Sequence, residues 1–210
     1  MNEELKQYIQ NQLFPEYEKN EQGHRIEHIN YVIERSLKFA SQVTDINMDM
    51  VYTIAAYHDI GHHIDAKNHE KISAEMLLQD KNLKRFFTEE QIKTMSEAVA
   101  DHRASSEYEP RSIYGKIVSS ADRNTDVNMA LKRTYSYTKT HNPNFTLEEV
   151  IEKSRKHIIQ KFGKDGYAIQ KMYFDDPQYK DFLATVDELT NNKANFSKIY
   201  KEVNKSKWTG

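Results

Sequence analysis

The sequence predicts an all-α fold, and three observations lead to that prediction. Over long stretches, apolar residues recur three and four positions apart, as they do along one face of an α-helix. No segment sustains the alternation of apolar and polar residues that is typical of a half-buried strand. Six glycines and four prolines among 210 residues are few for an all-β domain, because such a domain needs many turns.

Apolar stripes predict the first three helices. One is expected from residue 3 to about 18, ahead of a polar break at 19–23. The second is expected from about 24 or 26 to 42. The third, over 47–57, is the most apolar helix of the chain. Gly61 follows it as a residue that can stop a helix.

Capping residues mark the next three helices. Asn68 can cap a helix that turns Ile72, Met76 and Leu77 inward. The segment Thr88-Glu89-Glu90-Gln91 has the form of a capping box and predicts a helix to about residue 103. Another helix is expected to begin near 111 or 112 and to carry Ile113, Ile117, Val118 and Ala121.

The C-terminal part is predicted to be helical as well. Thr146-Leu147-Glu148-Glu149 repeats the capping-box pattern and predicts a helix that ends near Gly163. Asp176-Pro177 supplies a cap and a first-turn proline for one long C-terminal helix. Residues 201–210 are expected to fray. Without a repeat or a linker, the pattern predicts one compact helical bundle over residues 1–210.

Composition excludes several classes of protein. The net charge is −2, with 30 basic against 32 acidic residues, so nucleic acid and anionic membranes are not expected partners. There is no cysteine, which excludes disulfides and thiolate ligands and suits a cytoplasmic location. No run approaches the roughly 20 apolar residues of a membrane-spanning helix, and the acidic N-terminus is unlike a signal peptide.

The histidines are concentrated in one part of the chain. Seven of the nine fall between residues 24 and 102, close to predicted helix ends. His24 and His28 are four apart and share a helical face, as a metal-binding pair or as a solvated first turn. His58 and Asp59 follow the most apolar helix, where a buried carboxylate needs a partner. That partner is a metal, a backbone donor or a basic side chain.

Two further positions carry metal-binding residue types. His102 follows Asp101 at the end of a predicted helix, where a structural role is the simpler interpretation. Asp122 follows an apolar run and is expected in mid-helix near the core, where either an arginine or a metal would satisfy its carboxylate.

In this order, the residues resemble the HD-domain superfamily of metal-dependent phosphohydrolases. Ala55–Gly61 matches the signature His-Asp pair in its His-Asp-Ile-Gly form. His28, with Val32 four residues later, matches the first-histidine motif, and Asp122 matches the late aspartate. The resemblance covers about 24–127, which would form the metal-binding core, with a helical extension at about 128–210.

The resemblance implies a set of metal ligands. One metal would be held by His28, His58, Asp59 and Asp122. His69 and His102 match the histidines of a subset that holds a second metal, in which Asp59 bridges both ions. The gap from Asp59 to His69 is shorter than in many members of that subset. Imidazole and carboxylate ligands suit one or two divalent ions and do not choose among Mn, Fe, Mg, Co, Ni and Zn.

The chemistry implied is hydrolysis at phosphorus by metal-activated water, with Asp59 and His62 as the catalytic residues. A metal lowers the pKa of bound water and polarises a phosphoryl group. His62 lies one turn after His58 and could act as general acid or base, or could equally be a loop histidine. If the helix continues, His63 beside it cannot face the same way. Five cations next to the proposed ligands favour a phosphate-bearing substrate, although each could be a solvated surface residue: Arg25, Lys67, Arg103, Lys116 and Arg123.

The leading hypothesis is therefore a phosphomonoesterase, pyrophosphohydrolase or phosphodiesterase that acts on a nucleotide or related small phosphorylated metabolite. The alternatives are an HD-fold di-iron oxygenase and a nucleotide-sensing binding protein. A homodimer stays open. Further along, five residues mix rings and cations as a base-stacking lid would, although a tyrosine-rich helix packed on the core is the simpler interpretation: Arg133, Tyr135, Tyr137, Lys139 and His141.

Overall fold

The computed structural model describes residues 1–20, 24–169 and 172–207. Within these ranges the chain forms ten α-helices and no strand, which confirms the all-α prediction. The chain divides into two compact units, Met1–Asp122 and Arg123–Gly210. Their boundary lies close to the expected end of the metal-binding core near residue 127, and the single domain stays a prediction. No helix in the described part of the chain has both the length and the apolar character that a membrane span requires.

The first unit is built around its most apolar helix. It contains α1 (Glu3–Gln12), α2 (Ile26–Ala40), α3 (Met48–Tyr57), α4 (His69–Gln79), α5 (Glu89–Ala100) and α6 (Ile113–Ala121). Helix α3 packs against α2, α5 and α6, and its residues from Met50 to Tyr57 are all buried. The segment that follows α3 therefore begins inside the unit rather than at its surface.

The first predicted helix is shorter than expected. Helix α1 ends at Gln12, and a 3₁₀-helix covers Phe14–Lys19. The prediction of one helix to about residue 18 was wrong because Pro15 has no N–H group and its ring obstructs an α-helix. The 3₁₀-helix places Tyr17 in the core, where its hydroxyl donates to the carbonyl of Ala56 at 2.6 Å. Residues 21–23 of the expected polar break lie outside the described residues.

Local capping sets the ends of α3. The Asn47 side chain accepts hydrogen bonds from the N–H groups of Asp49 and Met50 and starts the helix. The helix ends at Tyr57 with His58 as its C-cap, as expected. His58 and Asp59 therefore leave the last turn of a fully buried helix.

Gly61 permits close packing of the next helix rather than stopping α3, which ends before it. A Cβ atom at Gly61 would lie 2.6 Å from Cγ2 of Ile72 in α4. The Gly61 N–H donates to Oγ of Ser73 at 2.9 Å. This contact holds the first turns of α4, where His69 lies, against the turn that carries Asp59.

The remaining caps of the first unit are mostly as predicted. Both hydrogen bonds of the Thr88 capping box are present at the start of α5, and Ser112 caps α6. Asn68 precedes α4 but does not cap it. The Nδ2 group of Asn68 donates to Oδ2 of Asp65, three residues earlier, at 2.7 Å.

The second unit has its own apolar core. It contains α7 (Val127–His141), α8 (Leu147–Phe162), α9 (Pro177–Asn191) and α10 (Lys193–Val203). The Thr146 capping box and the Asp176 cap are both present. Aromatic and aliphatic residues from all four helices fill the core, among them Leu131, Val150, Ile158, Phe182 and Phe196.

The long C-terminal helix of the prediction is two helices. Asn192 has an extended backbone, which ends α9. Its side chain accepts from the N–H of Asn195 and so caps α10. Residues 201–207 are not frayed as expected, since α10 reaches Val203 and a 3₁₀-turn covers Lys205–Lys207. Residues 208–210 lie outside the described part.

Candidate metal centre

The first unit brings all six predicted metal ligands together. They come from the ends of five helices, which converge on the segment after α3: His28, His58, Asp59, His69, His102 and Asp122. His28 lies in the first turn of α2 and His69 opens α4. His102 follows α5. Asp122 was expected within a helix, but it is the C-cap of α6. His24 joins the cluster as a seventh member.

Asp59 lies at the centre of the cluster and is 2% exposed. Around its Oδ2 atom lie Nδ1 of His24 at 2.6 Å, Nε2 of His28 at 3.5 Å and Nε2 of His58 at 3.5 Å. Around its Oδ1 atom lie Nε2 of His69 at 3.2 Å and Nε2 of His102 at 3.6 Å. The two oxygens of one carboxylate thus face two different sets of imidazole nitrogens.

Asp122 completes the first set. Its Oδ1 atom lies 3.1 Å from Nε2 of His28 and 3.8 Å from Nε2 of His58. The two Nε2 atoms are 3.4 Å apart. Three potential ligand atoms, two nitrogens and one oxygen, therefore face a common point next to Oδ2 of Asp59.

Backbone carbonyls orient three of the imidazole rings. The Nδ1 atoms of three histidines lie within hydrogen-bond distance of the carbonyl three residues earlier: His58 with Ala55 at 2.7 Å, His69 with Ala66 at 3.0 Å and His102 with Val99 at 2.7 Å. A carbonyl can only accept, so Nδ1 carries the proton and Nε2 is turned towards the cluster. Outer hydrogen bonds of this kind orient metal-binding histidines in many proteins.

The two histidines nearest Asp122 differ in their pKa. Burial lowers the pKa of His58 to about 4, so its imidazole is neutral, as a metal ligand must be. Burial also acts to lower the pKa of His28, but hydrogen bonds to Asp122 and Asp59 outweigh it and raise that pKa to about 9. A cation that binds at His28 must therefore displace a proton.

Both carboxylates of the cluster are ionised. Burial acts to raise the pKa of Asp59, but its electrostatic interaction with the His58 ring and its hydrogen bonds with His102, His24 and His28 hold that pKa well below its usual range. The pKa of Asp122 is lowered in the same way, chiefly by its hydrogen bond with His28. One buried and one half-buried negative charge, on Asp59 and Asp122, lie within one group of imidazoles, and a divalent cation stabilises such an arrangement.

The donor set fits one or two divalent metal ions. Its ligand atoms are imidazole nitrogens and carboxylate oxygens, and the chain has no thiolate to offer. His28, His58 and Asp122 form one group of potential ligands. Asp59, His69 and His102 form another, and in both groups the ligand atoms lie within 4.8 Å of one another.

His24 and Asn20 take part in the cluster although neither belongs to the six predicted ligands. His24 was noted for its spacing from His28, and that spacing was the available signal for its contact with Asp59. Asn20 is 2% exposed, and its Nδ2 donates to the carbonyls of Asp59 and His24, both at 3.0 Å. Its Oδ1 accepts from the N–H of His63 at 2.9 Å. No sequence pattern marks Asn20, because its partner Asp59 lies 39 positions away.

His62 lies beside the cluster. Its ring stacks on that of His24 with centroids 3.9 Å apart, and the His69 ring is 5.2 Å away. Burial, with the nearby charge of His24, lowers the pKa of His62 to about 4. His63 contacts Asn20 instead, which agrees with the expectation that adjacent histidines face different ways.

Four of the five predicted substrate-binding cations have protein partners. Arg25 donates to the Asn20 carbonyl, Arg103 to Glu70 and the Lys67 carbonyl, Lys116 pairs with Glu109, and Arg123 donates to the Ala168 carbonyl. Arg103, next to His102, keeps 35% of its side chain exposed. Arg123 is buried within the second unit, over the ring of Tyr179. Substrate binding by the five residues stays a prediction.

The part of the chain that carries the cluster matches a known family. Residues 25–125 match the HD domain family. The chain is also similar to the crystal structure of a predicted HD superfamily hydrolase from an uncultured Thermotogales bacterium. The identity is 24%, the TM-score is 0.50, and the match covers 71% of this chain and 83% of the other. No curated protein matches the chain.

The comparisons confirm the resemblance and the HD-like fold. The family match also supports, in general terms, a hydrolase of the metal-dependent phosphohydrolase type that uses a divalent metal. At 24% sequence identity, the similarity to the Thermotogales structure supports only a shared fold and gives no information about the substrate.

Proposed function

We propose that this protein is a metal-dependent phosphohydrolase that acts on a nucleotide or a related small phosphorylated metabolite. The observation that carries the proposal is the position of Asp59. Its two carboxylate oxygens face separate sets of imidazole nitrogens. A bridging carboxylate between two cations is a frequent arrangement in enzymes that cleave phosphate esters with two metals.

The six ligands would bind two metal ions. His28, His58, Asp59 and Asp122 would hold the first, and Asp59 would share the second with His69 and His102. Bound divalent ions would lower the pKa of coordinated water and polarise the phosphoryl group. Because no protein nucleophile is needed, the absence of cysteine agrees with this mechanism.

Preorganisation is the contribution of the fold. The carbonyls of Ala55, Ala66 and Val99 fix three imidazole rings before any substrate arrives. His62 is the proposed proton-transfer group, since its buried ring stacks on His24 beside Asp59. Arg103 would contact the phosphate, because it combines partial exposure with a place next to His102.

The test combines metal analysis with phosphate release. The purified protein is assayed against a panel of nucleotides and sugar phosphates with added Mn, Mg, Co or Ni. We expect close to two ions per chain and metal-dependent phosphate release. Asp59→Asn should lower activity by more than the roughly 10–100-fold that loss of an outer-shell partner costs.

Asp45→Asn is the matched control, because Asp45 is exposed and its positive φ of 57° is one that asparagine adopts readily. Equal activity of Asp59→Asn and Asp45→Asn would refute the proposed site. Bound iron with oxygen consumption and no phosphate release would instead support the di-iron oxygenase. Nucleotide binding without turnover under any metal would support the sensing protein.

A further inference from the structure

Helices α7 and α8 of the second unit each present two residues one turn apart. On α7 these are Arg133 and Tyr137, and on α8 they are His157 and Lys161. The Tyr137 and His157 rings stack, with centroids 5.4 Å apart and an interplanar angle of 21°. Arg133 and Lys161, one turn away from the stacked rings on their helices, line the same cavity next to this stack.

This cavity has a volume of about 190 Å³ and a cationic lining. Arg133, His157 and Lys161 are its basic side chains, and Ala130 and Phe162 supply apolar wall. Among the described residues, none that lines the cavity is acidic. Two polar side chains of the lining donate to nearby carbonyls, Thr134 to that of Ala130 and Asn124 to that of Asp126.

Positive charges act on the His157 ring of the cavity. Partial burial is the main cause of the lowered pKa of His157, and the charges of Lys161 and Lys153 lower it further. Arg133 and Lys161 are both only partly exposed. Like charges that share a partly desolvated site repel one another. An anion bound between them is attracted to both and offsets that repulsion.

We infer that this cavity in the second unit binds the phosphate group of a small ligand. The planar guanidinium of Arg133 can bind two phosphate oxygens at once, and Lys161 adds a point charge. The cavity is smaller than the roughly 300–1,000 Å³ of ordinary ligand pockets, yet several times the roughly 30 Å³ share of one water molecule. It therefore fits a phosphate group rather than a whole nucleotide. This site goes beyond the proposed hydrolase and does not depend on its chemistry.

Titration of the full-length protein with inorganic phosphate tests the inference. The protein is first freed of metal by chelation and dialysis, so that no ion in the first unit can bind phosphate. Calorimetry should show saturable binding of one phosphate per chain, and the ring signals of His157 should shift in a histidine NMR spectrum. His157→Gln assigns those signals.

Variants that each remove one positive charge distinguish phosphate binding in the cavity from nonspecific electrostatic attraction. Lys161→Gln and Arg133→Gln should each weaken phosphate binding at least tenfold. Lys156→Gln removes one positive charge from α8, as Lys161→Gln does, but Lys156 is exposed and does not line the cavity. The phosphate affinity of Lys156→Gln should therefore equal that of the wild type. Circular dichroism confirms folding, and Lys161→Gln alone suffices if Arg133→Gln does not fold.

The inference would be overturned by the absence of saturable binding, by an equal loss in Lys156→Gln and Lys161→Gln, or by loss of binding in Asp59→Asn. Loss of binding in Asp59→Asn would place the phosphate at the cluster of the first unit. A nucleoside monophosphate and its unphosphorylated nucleoside distinguish the sources of phosphate. Equal affinity for inorganic phosphate and the monophosphate indicates free phosphate, and at least tenfold tighter monophosphate binding indicates a nucleotide. A nucleoside that binds as well as its monophosphate would also overturn the inference.

Discussion

The Nδ1 atom of His24 lies 2.6 Å from Oδ2 of Asp59, while the ring of His24 stacks on that of His62. His24 thus connects the central carboxylate to the proposed proton-transfer group. It also precedes α2, where His28 contacts the same oxygen. The orientation of Asp59 therefore depends on a residue outside the six ligands that the family resemblance implies.

Replacement of His24 tests this role. We expect His24→Ala to lower kcat/KM by about 10–100-fold, as loss of an outer-shell partner does. Stability should change little, because 28% of the His24 side chain is exposed. Steady-state kinetics and thermal unfolding measure the two effects, with His141→Ala in the second unit as the exposed histidine control. Wild-type kinetics in His24→Ala would show that Asp59 keeps its orientation without this contact.

The two oxygens of Asp59 predict two separable metal sites. His69 faces Oδ1 and His28 faces Oδ2, so each single variant should remove one ion per chain and leave the other. Elemental analysis of His69→Ala and His28→Ala, beside the wild type and His141→Ala, measures this. One ion in the wild type that persists in His69→Ala would show a single site and exclude His69 as a ligand.

Local chemistry explains which parts of the fold could be predicted. Thr88 and Thr146 start helices as expected, because a capping box is complete within four residues. The prediction failed at Pro15, where the apolar stripe was followed past a residue that cannot continue an α-helix. It failed again at Asn192, whose side chain caps the next helix instead of continuing the previous one.

The site shows the same limit. His58 and Asp59 were predictable because they are adjacent and follow an apolar helix. Asn20 was not, since its hydrogen bond to the Asp59 carbonyl joins segments whose proximity only the packed helices determine. The contact of Gly61 with Ile72 is equally invisible in the sequence, where the glycine resembles a helix stop.

That contact predicts the effect of Gly61→Ala. The added Cβ would lie 2.6 Å from Cγ2 of Ile72 and 3.0 Å from the backbone nitrogen of Ser73, so α4 must shift. Overpacking of this kind lowers the free energy of unfolding by about 1–3 kcal/mol, and the shift of His69 should also weaken metal binding. Urea unfolding measures the stability. Gly61→Ala with Ile72→Ala should recover part of the metal affinity, and wild-type stability in Gly61→Ala alone would contradict the packing described.

The proton on His28 predicts that metal affinity rises with pH. The pKa of His28 is raised to about 9 by its two carboxylate partners, so the ring is protonated at neutral pH in the metal-free protein. A ligating imidazole must be neutral, and binding therefore releases this proton. Affinity for Mn²⁺ should increase about tenfold per pH unit and level off above about pH 9. Calorimetry in buffers of different ionisation enthalpy counts the released protons directly. An affinity that does not change between pH 6.5 and 8.5 would mean that the cation binds without displacing the proton of His28.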